Sequence, residues 1–197
     1  NIQCPFRTFP VNNAPAAHHS GRRKSGGAGS LNRAREVFLA MALLIAAGCG
    51  GVDDEQMAFE RKAYRDAEGF TRTDASGRIV EEDGDDWRIS PVFGGLMRVE
   101  PAFPNPVCAT CPLYIHVTAD VIDPMNGLYI AVHSPGEYTR IVWSAQAGML
   151  EPGLYVARLS PLELGRYGSV ESARGLHRLI LFDSREQVLS YGDVLVE

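Results

Sequence analysis

The sequence predicts a mainly β chain, an antiparallel β-sandwich over residues 96–197 preceded by a disordered leader, an apolar signal helix and a tether. Three observations predict it. Leu113, Ile115, Val117, Ala119 and Val121 alternate with Tyr114, His116, Thr118 and Asp120, the period-two pattern of a strand with one buried face. Pro and Gly then cut the remaining chain into pieces of strand length, at 124–127, 135–136, 152–153 and 175. Upstream, residues 37–47 form an uninterrupted apolar run, well short of the roughly 18 residues a membrane-spanning helix needs.

Residues 1–32 are small, polar and basic, with His18, His19 and the run Arg22-Arg23-Lys24 but no apolar period. Such a segment has too little apolar surface to offset its chain entropy, so a disordered leader is expected. The first methionine, Met41, lies inside the apolar run. Translation is therefore expected to start downstream of Asn1, at a non-AUG codon near Leu31. A metal or nucleic-acid role for the leader is the weaker reading.

Residues 33–48 have the order an export signal requires: Arg33 and Arg35 supply positive charge, residues 37–47 the apolar segment, and small residues lead into Cys49. Ala46-Ala47-Gly48-Cys49 resembles the lipobox of bacterial lipoproteins. That resemblance implies cleavage before Cys49, a diacylglyceryl thioether on its sulfur, and anchoring through acyl chains rather than protein surface. The competing reading is a buried core helix or an uncleaved anchor.

The remaining 149 residues suffice for one domain. The whole chain carries net charge −5, but residues 49–197 hold 13 Lys and Arg against 23 Asp and Glu, a net −10. A surface this acidic repels phosphate backbones, which disfavours nucleic-acid partners.

Residues 49–95 read as a tether followed by an irregular segment. Gly50 and Gly51 give flexibility. Asp53-Asp54-Glu55 resembles the surface-export signal of Bacteroidetes lipoproteins, which implies an outer-membrane location, periplasmic or surface-facing; a solvated linker is the alternative. Phe59, Ala63 and Ala67, spaced by four, predict a short helix over 55–67. Asp74-Ala75-Ser76-Gly77 is a turn signal and predicts a small hairpin over 70–80. The acidic run 81–86 invites calcium, yet lacks the Asp-x-Asp-x-Asp-Gly ladder and a closing Glu, so a solvated linker is the simpler reading. Trp87 is expected to cap the edge of the next domain.

Within 96–197, strands are expected over 113–121 and from 128, paired as a hairpin across the Pro-Met-Asn-Gly turn at 124–127. Others are expected over 138–144, 154–159, 176–182 and 188–196. Ser160-Pro161-Leu162-Glu163 reads as an N-cap with Pro at the first helical position, hence one helical turn. About seven short strands in roughly 100 residues point to an immunoglobulin-like sandwich. Pro101-Ala102-Phe103-Pro104-Asn105-Pro106 resembles the Tyr-Pro-Asn-Pro opening of the immunoglobulin-like modules in flagellar-hook capping proteins and at the C-termini of type IX-secreted proteins. Residues 152–159, Pro-Gly-Leu-Tyr-Val-Ala-Arg-Leu, resemble their late strand. The resemblance implies a structural module without catalysis, although Leu195-Val196-Glu197 lacks the basic end of a sorting signal.

Four cysteines occur, of which Cys108 and Cys111 would remain free after export. In an oxidising compartment a short-range disulfide is the simplest outcome. Redox work needs a thiolate stabilised at a helix N-terminus, and Pro112 followed by a strand does not supply one. Pro112 also stands where haem attachment wants His. A zinc site is the remaining alternative: a hairpin register pairing Val121 with Leu128 would set His116 opposite His133 near Cys108 and Cys111, a Cys₂His₂ set. Tyr129, Tyr138, Trp143 and Tyr155 could likewise stack on pyranose rings if they shared one exposed face. No nucleophile elbow, phosphate-binding Gly loop or His-Glu-x-x-His is present. The expectation is a non-enzymatic, lipid-anchored envelope protein needing no cofactor. Its partners would be the membrane through Cys49 and other envelope proteins or glycan; metal or carbohydrate binding is the alternative.

Overall fold

The structure is a computed structural model that describes residues 51–120 and 126–197; the leader, the signal segment, Cys49 and most of the 121–127 turn lie outside them. The described residues form one compact unit. Its elements run α1 (Gly51–Ala63), β1 (Arg72–Thr73), β2 (Ile79–Glu81), β3 (Met97–Val99), β4 (Leu113–Ala119), β5 (Asn126–Ser134) and β6 (Tyr138–Met149). Then follow β7 (Gly153–Leu159), α2 (Val170–Ala173), β8 (Gly175–Phe182) and β9 (Val188–Val196), with single 3₁₀ turns at Pro91–Phe93 and Pro161–Glu163.

Two antiparallel sheets carry the core. One has the order β3-β4-β7 and the other β6-β5-β8-β9. Leu113, Ile115 and Val117 of β4 face Leu128, Ile130 and Val132 of β5 and Leu179 and Leu181 of β8, all sealed from solvent in one apolar cluster. Burying such a side chain is worth about 1.5–3 kcal/mol, which is why the alternation dictates which face turns inward.

The hairpin expected between β4 and β5 does not form. β4 pairs with β3 and β7, whereas β5 pairs with β6 and β8. Both strands bury one face, and that requirement is met equally by lying side by side or by facing each other across a core. The chain takes the second arrangement.

The expected strands at 176–182 and 188–196 correspond to β8 and β9, while β6 extends five residues beyond the 138–144 segment. The helical turn after Ser160 is present as a 3₁₀ turn, but the Ser160 side chain caps nothing. One short helix was not expected. α2 is held by a reciprocal box in which the Ser169 and Ser172 side chains each take up the other's backbone N–H.

Residues 51–95 pack on the sandwich rather than trail from it. α1 starts earlier than expected and ends at Ala63; its Phe59 and Ala63 are buried against Ile180, Val188 and Tyr191 on the outer face of the four-stranded sheet. The small hairpin β1–β2 is present, its turn closed by Asp74, which accepts from the Ser76 and Arg78 amides, with Gly77 at φ +83°. Trp87 is 4% exposed and belongs to the main core. Its indole lies on the backbone of β9, so close that a β-carbon at Gly192 would sit 2.2 Å from the ring. Among the described residues, no helix is long and apolar enough to cross a membrane.

Candidate functional site

Cys108 and Cys111 are joined as a disulfide in the loop before β4. That loop is tied to the chain terminus, since the Ala109 amide donates to the Glu197 carbonyl at 3.2 Å. The two histidines do not join it. His116, on the outer face of the three-stranded sheet, lies 3.2 Å from Glu100 Oε2 and meets the Phe103 ring edge-on. His133 belongs to the other sheet, with Nδ1 at 2.7 Å from Thr139 Oγ1 and Nε2 at 3.3 Å from the Tyr64 carbonyl.

The Cys108, Cys111, His116 and His133 zinc set is therefore corrected: it needed β4 and β5 as neighbours, and they occupy different sheets. Among the described residues, no group of three or more His, Cys, Asp or Glu side chains is arranged to hold a metal ion. Part of the acidic run is spent on the protein as well. Asp85 pairs with Lys62 at 2.9 Å and Arg88 at 3.2 Å, while Asp83 accepts from the Asp85 amide.

The four aromatics share no exposed face. Tyr138, Trp143 and Tyr155 pack against the main core, and the two tyrosine hydroxyls donate to the Leu164 and Glu151 carbonyls. Tyr129 is on the opposite side of its sheet, stacked on Phe182 with centroids 5.6 Å apart. A sugar-stacking platform from these residues is not formed.

Among the described residues, two clefts larger than the one of about 180 Å³ at Tyr138, Arg140 and Arg166 open to solvent. One, about 320 Å³, lies beside the disulfide and is lined by Thr110, Cys111, Pro112, Arg158, Ser160 and Glu163. The other, about 310 Å³, is bordered by Asp66, His133, Glu137, His177 and Arg178. Burial pushes the His177 imidazole below its ordinary value, and its Nε2 donates to the Ala173 carbonyl at 2.7 Å. A neutral ring holding that carbonyl serves the C-terminal end of α2 rather than the cleft.

The densest polar cluster is one the sequence did not reveal: Thr71, Asp86, Asn105, Arg178 and Asp193. Arg178 on β8 faces Asp193 on β9 and binds it with both Nε and Nη2. The guanidinium also donates to the Lys62 and Asp66 carbonyls at the end of α1. Asp193 takes a further bond from the Glu68 amide, and Asp86 accepts from the amides of Thr71 at 2.8 Å and Asp193 at 2.7 Å. Asn105, fully buried, donates to the Thr71 and Asp193 carbonyls and accepts from the Leu195 amide.

Burial controls the titration of this cluster. It lifts Asp86 to about 7, with the nearby Asp193 charge adding to the rise against the two amide donors. Burial also raises Asp193, outweighing the opposing pull of Arg178. For Arg178 burial acts downward, yet the Asp193 carboxylate outweighs it and holds the guanidinium charged. Such shifts mark active sites and structural clasps alike. Here every carboxylate oxygen of Asp86 and Asp193 is bonded to a backbone amide or to Arg178, and these groups tie α1, the 64–71 segment and the Asn105 loop to β8 and β9. The arrangement is a clasp.

No family model matches the chain, and no curated protein matches it.

Proposed function

We propose that this chain is a non-enzymatic, lipid-anchored protein of a bacterial outer membrane, whose immunoglobulin-like sandwich serves as a structural or interaction module. The observation that carries the reading is the order of residues 33–49: positive charge, a short apolar segment, small residues and then Cys49. Two or more acyl chains on one cysteine hold a protein stably at the bilayer, so the folded unit needs no apolar surface for membrane attachment.

The strand order supports the immunoglobulin-like part. Counting β3 as the first strand, the first, second and fifth make one sheet, and the fourth, third, sixth and seventh make the other. This is the A-B-E and C′-C-F-G arrangement of a sandwich in which the fourth strand has joined the second sheet. The non-catalytic reading is supported by how the perturbed groups are used: Asp86, Arg178 and Asp193 are spent on internal hydrogen bonds.

Membrane fractionation with fatty-acid labelling tests the proposal. The wild-type chain is expected to sediment with membranes, to be released by detergent but not by salt, and to take up labelled fatty acid, and the Cys49→Ser chain is expected to take up none. A wild-type chain that takes up no label, or a Cys49→Ser chain labelled as strongly, would contradict it.

A further inference from the structure

A sheet edge is a row of unpaired backbone donors and acceptors, and three of the four edges of this sandwich are blunted. β9 is covered by the segments 87–90 and 107: Trp87 and Ser90 donate to the Tyr191 and Leu189 carbonyls, and Val107 bridges to Val196. β3 is three residues long. β6 is bulged beside Ile130 and Ala131, and its Tyr138 and Arg140 side chains reach the carbonyls of residues 163–165, which lie along it.

β7 has none of these protections. It is seven residues long, keeps an unbroken register with β4, and among the described residues its backbone bonds to no other segment. Its outward positions carry Leu154, 60% exposed, and Val156, 45% exposed, flanked by exposed Glu151 and Arg158. Neither charge is in an ion pair among the described residues. Of the other three edges only β6 exposes a large aliphatic side chain, Ile141, and it does so within the bulged stretch, whereas β7 exposes two on an unbroken edge.

We propose that β7 pairs antiparallel with β7 of a second copy of this chain, joining two three-stranded sheets into one of six strands. The sequence of the strand is self-complementary in the register centred on Tyr155. Leu154 then stands opposite the partner's Val156, and Val156 opposite the partner's Leu154, so four exposed aliphatic side chains cover one another at opposed β-carbon distances of about 5 Å. Arg158 comes opposite the partner's Pro152, next to the partner's Glu151, and the two-fold axis repeats that charge pair at the other end. The unpaired opposite charges at the two ends of one strand are thus complementary in a dimer, and they choose a second copy over an unrelated peptide. This inference does not depend on the lipid anchor.

Size exclusion with light scattering on the full chain, in non-ionic detergent to keep acylated or apolar segments apart, tests it across roughly 1–100 μM. The wild type is expected to dimerise within that range and Val156→Lys, which buries a charge against the partner's Leu154, to remain monomeric. Glu151→Arg and Arg158→Glu are each expected to weaken the dimer about tenfold, through two repulsive pairs per dimer, and their combination to restore it to within about threefold. These positions are solvent-facing, and circular dichroism of each variant should match the wild type. A wild-type monomer throughout, which would leave the edge to an unrelated peptide strand, overturns the proposal. So does a dimer indifferent to Val156→Lys, or one that the double charge reversal fails to restore.

Discussion

Arg178 and Asp193 stand directly opposite each other on β8 and β9, and their two-pronged ion pair is nearly sealed, with side chains 8% and 3% exposed. The guanidinium spends its remaining donors on the Lys62 and Asp66 carbonyls, so one side chain links the second sheet to the end of α1. Removing it leaves a buried carboxylate without its counter-charge. Arg178→Met should cost about 3–5 kcal/mol in urea denaturation. Limited proteolysis should then cut first between residues 62 and 70, where the carbonyls have lost their donor.

Asp86 makes stability depend on pH. Its carboxyl in the fold titrates near 7, above the ordinary value of 3.8 it regains on unfolding. The folded state therefore binds the proton more tightly. This group's stabilisation is fully present below about pH 4 and is lost as pH rises through about 7. Urea midpoints between pH 4 and 8 should show that decline, and Asp86→Asn should flatten it. An unchanged slope in the variant would assign the decline elsewhere.

Asn105 satisfies three backbone groups from two parts of the chain, Thr71 in the 64–71 segment and Asp193 and Leu195 on β9. Asn105→Ala leaves all three without partners inside the protein. A loss on the order of 3 kcal/mol is expected in chemical denaturation. Asn105→Asp should be no better, because a carboxylate cannot donate to the two carbonyls.

Gly192 gives the Trp87 ring its place on β9. Gly192→Ala would drive a methyl into the indole, and the expected cost is about 1–3 kcal/mol with a shift in tryptophan emission as the ring is displaced. Gly192→Ala with native stability and emission would show that the ring can move aside freely.

The disulfide closes a loop of only four residues, Cys108 to Cys111, so it restricts the unfolded chain little. Replacing both cysteines by serine should lower stability by about 2 kcal/mol or less and leave the strand signal in circular dichroism intact. A chain that unfolds on reduction would give the bridge a larger part than loop closure supplies.

How much of this was legible in the sequence differs by element. The alternation at 113–119 and at 128–132 marked β4 and β5, and Asp74 to Gly77 marked the β1–β2 turn, because each signal is local. Pairing was not legible: β4 lies beside β7, with Leu113 opposite Leu159, and an alternating strand carries no record of which neighbour it takes. The clasp was hidden for the same reason at longer range. Asp86 reaches an amide 107 residues away and Asn105 a carbonyl 88 away, so neither has a short-range pattern. The one available signal was Asp86 beside Trp87, a charge next to a large apolar residue at the end of an acidic run, which fits a solvated linker poorly.

Whether the chain is cut before Cys49 and lipidated there is tested most directly by intact mass of the protein from its native membrane, with and without the signal-peptidase inhibitor globomycin. A species beginning at Cys49 and carrying acyl mass, replaced under the inhibitor by a longer one, is the expected result. A species that retains residues before Cys49, or carries no lipid, would contradict the proposal.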